Sequence, residues 1–205
     1  MALSPLYIGH RLGAASAPHT LEVYLDYVCP FSAKIYKSLR TQVLPWLEKE
    51  HPNKVQFVFR HQVQPWHASS TLVHEAALVV ERLSPDDFLT FSDYLFEHQR
   101  DYFDEAVEAK TRRQLVEQIS HLIVSTTPGL DQEKIIHALA NGTTDPASAT
   151  NKGNSVSADL KWHIRFARQN AIHVSPTVAW DGLRDDAVSS GWSLSQWQDY
   201  FTSKL

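Results

Sequence analysis

The hydrophobic pattern of the chain changes period several times, and each change marks an element. "LEVYLDYV", residues 21–28, alternates along its length and is rich in β-branched and aromatic side chains, which predicts a strand. From Phe31 the spacing becomes fourfold: Phe31, Ile35, Leu39 and Val43 form one stripe of a helix that runs into "LPWLEKEHPN", where Pro52 and Asn53 stop it. "KVQFVFRHQV" (54–63) returns to alternation, with Val55, Phe57 and Phe59 on one face and Pro65 at its end.

The next ninety residues carry helical periods and hardly any strand signal. "SSTLVHEAALVVERL" opens on a Ser/Thr cap and is apolar at Leu72, Ala76, Val79 and Leu83, and "SPDDFLTFSDYLFEHQ" opens on Ser with Pro at the first helical position. "KTRRQLVEQISHLIV" and "LDQEKIIHALA" predict two more helices before the loop "NGTTDPASATNKGN". "SVSADLKWHIRFARQN" places Val156, Leu160, Ile164 and Ala167 on one side of a further helix. "SPTVAWDGL" then predicts a short strand reaching a turn at Asp181-Gly182, and "SLSQWQDYF" a closing helix capped by Ser193 or Ser195. Residues 1–20 show no period and read as an irregular lead-in. The order is β-α-β, a helical block, a helix, a short strand pair and a last helix, which predicts one α/β domain without internal repeats.

Charge removes several classes of partner. With 19 basic against 23 acidic side chains and a formal net charge of −4, the chain has no basic footprint for nucleic acid or an anionic membrane. No run approaches the roughly 20 apolar residues a membrane helix needs. One cysteine excludes an intramolecular disulfide framework, and residues near the start lack the pattern of a secretory signal, so a cytoplasmic protein is expected. The sequon "NGT" at 141–143 is then read as chance. Composition leaves a homodimer open.

Candidate chemistry begins at that cysteine. "VCPFS" ends a strand at Cys29 and opens a helix at Pro30, whose missing N–H suits the first helical position. The first-turn amides and the helix dipole favour an anion at the sulfur, and Ser32 can offer it a hydroxyl but no disulfide. Position alone also fits an inert buried cysteine. In "HVSPTVAW" (173–180), Pro176 is placed at the first residue of a strand. A cis bond there would turn the backbone of Val174 and Ser175 toward a ligand, although trans is the commoner form.

Together, "CPFS" at Cys29 to Ser32, "VSPT" at Val174 to Thr177, and the order of elements resemble the thioredoxin superfamily, specifically its DsbA-like branch. The resemblance spans about 21–201. It implies a thioredoxin-like fold with a central mixed sheet, a core at about 21–65 and 156–205, and an inserted all-helical block at about 66–155. It also implies Cys29 as nucleophile, Ser32 as partner of the thiolate, and Ser175 with Pro176 as a ledge on which a peptide or glutathione pairs as an added strand. Pro30, Phe31, Trp66, His67 and Val174 join that substrate surface by the same resemblance.

The departure is that the family's second cysteine is here Ser32. Autonomous dithiol oxidation is therefore excluded, because no resolving thiol exists to release a mixed disulfide. The resemblance leaves a monothiol oxidoreductase or a glutathione-linked transferase, related to the kappa-class glutathione transferases and hydroxychromene-carboxylate isomerases, with glutathione as co-substrate and no bound cofactor. The alternatives are a non-catalytic module that binds a peptide or small molecule, and a pathway-specific isomerase that reuses the pocket.

Other residues are weighed against blander roles. Eleven histidines show no zinc-ligand spacing, so no metal is expected, although His67 and His74 would share a helix face if the helix reaches back that far. Trp66 fits a helix-entry staple as well as a pocket wall. His61 and His173 read as satisfied core or exposed residues, and His163 as a packing residue. Asp26 is a candidate proton relay if it points inward, which alternation leaves undecided. "DYFDEAVEAK" reads as a solvated face or loop.

Overall fold

A computed structural model of the chain describes residues 5–142 and 146–205; Thr143 of the sequon, part of its loop and the first four residues lie outside them. A five-stranded sheet has the order β1-β3-β2-β4-β5, built from β1 (Arg11–Leu12), β2 (His19–Leu25), β3 (Val55–His61), β4 (Thr177–Trp180) and β5 (Leu183–Arg184). β2 and β3 run parallel, while β1, β4 and β5 pair antiparallel with their neighbours. The helix α1 (Pro30–Ser38) makes the crossover from β2, extended by a π turn at Leu39–Val43 and by α2 (Leu44–Glu50). Between β3 and β4 lie α3 (Ser70–Leu83), α4 (Phe88–Glu97), α5 (Asp104–Val107), α6 (Arg112–Thr126), α7 (Gln132–Leu139) and α8 (Ser157–Gln169), and α9 (Leu194–Lys204) closes the chain.

The central strands are buried on both faces, which blunts their alternation as a signal. Leu21, Val23, Leu25, Phe57 and Phe59 enter the main core. On the other face Glu22 and Arg60 form a buried ion pair at 2.7 Å, and Arg60 stacks on Phe166 of α8. Tyr24 and Ala179 pack there with Ala167 and Ile172.

Four readings change. The lead-in contains β1, too short to show a period, which hydrogen-bonds to β3 and covers its edge. β2 stops at Leu25, so residues 26–28 form a turn and the strand rule cannot orient Asp26. Pro45, which has no N–H for the Thr41 carbonyl, widens the long helix: Leu44 N–H bonds to Leu39 O, five residues back. "DYFDEAVEAK" is not simply a solvated face, since Tyr102 and Val107 are buried and Asp104 accepts the Ala68 N–H at 2.8 Å.

The hairpin between β4 and β5 follows its dipeptide. Asp181 and Gly182 both have positive φ, 50° and 81°, as a two-residue type I′ turn requires. The Asp181 carboxylate also accepts the Thr20 N–H at 2.8 Å and meets His19 Nδ1 at 2.8 Å. The terminal helix starts at a Ser193–Gln196 capping box, leaving Ser195 within its first turn.

Candidate active site

The turn after β2 is tied from several sides. Cys29 N–H donates to Asp26 O at 3.1 Å, and Asp26 Oδ1 accepts the Val28 N–H at 3.1 Å, the local bonding that makes Asp a turn former. Cys29 is the N-cap of α1 with extended backbone, its carbonyl accepts the Ala33 N–H, and Pro30 follows as the first helical residue. The thiol sits where the orphan amides of a helix start gather. It is 6% exposed, and Sγ donates to Ser175 O at 3.6 Å. The Ser175–Pro176 bond is cis, and Thr177 Oγ1 closes the loop on Val174 O at 2.7 Å.

Ser32 is placed differently from the role the resemblance implies. It is fully buried, and its Oγ accepts the Asp26 N–H at 3.2 Å. Among the described hydrogen bonds, Cys29 Sγ goes to Ser175 rather than to Ser32. Ser32 therefore fastens the strand end to the helix start.

Asp26 is the hub of the site. Its buried carboxylate accepts the Gln64 N–H at 3.1 Å and lies 2.9 Å from His67 Nδ1 and 3.6 Å from His74 Nε2. Burial pushes its pKa up, but the bonds from His74, His67 and the Val28 N–H outweigh it and hold the group below the ordinary carboxylate range. The turn thus encloses an ionised carboxylate. His67 is the partner that reaches solvent: it borders a cleft of about 160 Å³ with Val28, Pro30, Phe103, Asp104 and Glu105. α3 begins only at Ser70, so His67 and His74 share no helix face, yet both converge on Asp26.

Around the thiol, the apolar side chains are unusually exposed. Phe31 (63%), Trp66 (59%) and Val174 (54%) flank Cys29, His67 and Ser175 in the chain. Phe31 is accordingly absent from the buried stripe of its helix, which Ile35, Leu39 and Val43 make without it, and Trp66 is no buried staple. Pro30 is exposed, while Ser175 and Pro176 are half-buried.

A family model described as thioredoxin matches residues 8–190. The chain belongs to the thioredoxin family. Its fold is also that of a Pseudomonas syringae protein assigned provisionally to the protein-disulfide isomerases, with 24% identity over 95% of this chain and 98% of the other and a TM-score of 0.73. Chlamydia trachomatis DsbA (12% identity, 95% and 90% covered, TM-score 0.63) and oxidised BdbD of Bacillus subtilis (19%, 95% and 89%, 0.61) are similar in the same way. No curated protein matches the chain. The thioredoxin-like sheet with its inserted helices, as in the DsbA-like branch, is therefore the architecture here.

Within this thioredoxin fold, the inserted helices brace the thiol. Gln99, following α4, donates through Nε2 to Tyr27 O at 2.9 Å and to Cys29 O at 3.4 Å. Tyr27 and Ser92 hydrogen-bond through their hydroxyls at 2.8 Å. Sequence reasoning missed Gln99, a lone amide in a helical block, and no local pattern pointed to it. The Asp26–His67 pair was half visible, since each residue stood out but nothing linked them across 41 positions.

Proposed function

We propose that the protein is a monothiol thiol–disulfide oxidoreductase for which glutathione supplies the second thiol. The observation that carries this is the position of the single thiol: at the N-cap of α1, 3.6 Å from the Ser175 carbonyl, on a turn anchored by an ionised carboxylate. The nucleophile is Cys29 in its thiolate form. That thiolate attacks the glutathione sulfur of a mixed disulfide, RS–SG, giving Cys29–S–SG and RS⁻. A glutathione thiolate then attacks the same glutathione sulfur, releasing GSSG and restoring the Cys29 thiolate. The sum is RSSG + GSH → RSH + GSSG, in which the proton of GSH ends on RS⁻. His67, held by Asp26 at the cleft beside Pro30, is placed to carry that proton.

Substrate recognition follows from the surface around the sulfur. A peptide-like backbone pairs with Ser175 as an added strand, and Phe31, Trp66 and Val174 contact its apolar side chains. Disulfide-exchange relatives of the same fold support this reading. The need for reduced glutathione assigns the protein to a reducing compartment such as the cytoplasm. Among the described residues no helix is long and apolar enough to cross a membrane.

The test is intact-mass detection of one glutathione per chain after exposure to GSSG, with turnover of a glutathionylated peptide by GSH. Iodoacetamide should alkylate Cys29 about tenfold faster than a free peptide thiol at pH 7. Cys29→Ala should abolish adduct and turnover. A thiol no faster than the peptide, with no adduct, would sink the proposal in favour of a binding module. Glutathione conjugation that survives Cys29→Ser would instead favour the transferase or isomerase chemistry.

A further inference from the structure

Behind the active-site turn lies a second group of polar side chains, none of which is among those placed around the thiol. His10, at the entry to β1, His61, at the end of β3, and His163 of α8 each offer a ring nitrogen within 4.8 Å of the other two. All three are at most 2% exposed. His61 Nε2 and His163 Nε2 have no hydrogen-bond partner among the described residues, and neither nitrogen of His10 makes one of ordinary distance and angle, although the Phe59 backbone lies close enough to act on that ring. A buried polar atom without a partner is costly, and a well-packed aromatic core would use phenylalanine here instead. A neutral imidazole carries the lone pair that a metal ligand needs.

The surroundings of two of these rings have the form of outer-shell support. His61 Nδ1 lies 2.6 Å from His74 Nδ1, and His74 Nε2 lies 3.6 Å from Asp26 Oδ1. In one tautomer His61 donates from Nδ1 to His74 Nδ1 and His61 Nε2 keeps its lone pair for the cluster, while His74 Nε2 faces the Asp26 carboxylate across 3.6 Å without a hydrogen bond. Behind His10, Nε2 lies 3.8 Å from Glu81 Oε2, an oxygen buried without a hydrogen bond, while Glu81 Oε1 accepts the Gly9 N–H at 3.0 Å. The nearby positive charge of Arg60 is matched by Glu22 at 2.7 Å, which leaves Asp26 to offset part of a dication's charge.

We propose that His10, His61 and His163 bind a divalent first-row transition metal, zinc foremost, as a structural site separate from the thiol. Three neutral imidazoles suit zinc, with a water as fourth ligand. Zinc–nitrogen bonds of about 2.0–2.1 Å require the rings to close inward by roughly 1 Å. The site would staple the N-terminal segment, β3 and α8, three parts of the chain far apart in sequence. It has no ligand in the proposed redox reaction, so either proposal can fail alone.

The experiment uses the full chain, stripped with a chelator and titrated with Zn²⁺ or Co²⁺. One equivalent of zinc should bind, with Tm rising by roughly 5–10 °C at a hundredfold excess over Kd. Cobalt should give the visible absorption of a tetrahedral site and be displaced by zinc. His163→Phe should lose both effects, whereas His98→Ala with His121→Ala, at exposed positions, should keep them. Failure of the stripped protein to take up either metal, or equal uptake by His163→Phe, overturns the proposal. Should that variant not fold, the cobalt band of the unmutated chain decides alone: its absence is fatal.

Discussion

Asp26 illustrates how much a single buried charge organises. Its two oxygens hold the Val28 and Gln64 N–H groups and face two histidines, so the carboxylate stays ionised although burial opposes it. The sign of its linkage to folding follows. A carboxyl with folded pKa below its unfolded value contributes stability that is fully present above the unfolded value, about 3.9, and lost as pH falls through the folded one. Asp26→Asn should therefore be destabilised by about 2–4 kcal/mol at neutral pH, with the gap from the unmutated protein closing below about pH 4. Urea unfolding at several pH values checks this, and a gap independent of pH would show that the charge is not the source. His67→Ala should behave otherwise. Being partly exposed and one of several partners of the buried carboxylate, it should cost less stability, about 1–2 kcal/mol, while lowering kcat/KM for the proposed deglutathionylation on the order of 10–100-fold. Of this constellation the sequence displayed Cys29, Pro30 and Pro176 clearly, because proline at a helix start and before a strand has local causes. Ser32 was visible as a missing cysteine, but its bond to the Asp26 N–H was not, since that depends on where β2 ends.

At the level of elements, periodicity located the long helices well where their apolar stripes are one-sided, as in α6 and α8. It failed at short or doubly buried pieces. β1 has two residues, and β2 continues apolar past its last ladder bond because Tyr27 and Val28 enter the core from a turn. Phe31 belonged to the helical stripe by spacing but opens on solvent beside the thiol, which is where a binding role and a packing role separate. The inserted helices do more than cover the sheet: Gln99 holds the carbonyls of Tyr27 and Cys29. Gln99→Ala takes the Nε2 donor from Tyr27 O and leaves Cys29 O with the Ala33 N–H alone, a cost of about 1–3 kcal/mol. It should also slow alkylation of Cys29, since the turn that presents the sulfur loosens. A variant less stable yet equally reactive would confine Gln99 to a structural role.

At the scale of the whole molecule, the fold is complete for dithiol chemistry except at one position. The helix start, the Ser175 loop and the buried acid are present, and Ser32 occupies the family's second cysteine position. Residues three apart on a helix have Cβ atoms about 5–6 Å apart, close enough that a small backbone shift at the N-cap allows the shorter separation a disulfide needs. Ser32→Cys should therefore restore an intramolecular pair at a cost of about 1 kcal/mol, because sulfur accepts the Asp26 N–H more weakly than a hydroxyl does. Thiol titration of the unfolded protein should find no free thiol after oxidation and two after reduction. The oxidised variant should then oxidise a dithiol peptide without glutathione, and the unmutated chain should not. If both thiols titrate but the activity still requires glutathione, the residue at position 32 is not what decides between monothiol and dithiol chemistry. The cause would then lie in how deeply α1 buries that position, a property of packing that no motif records.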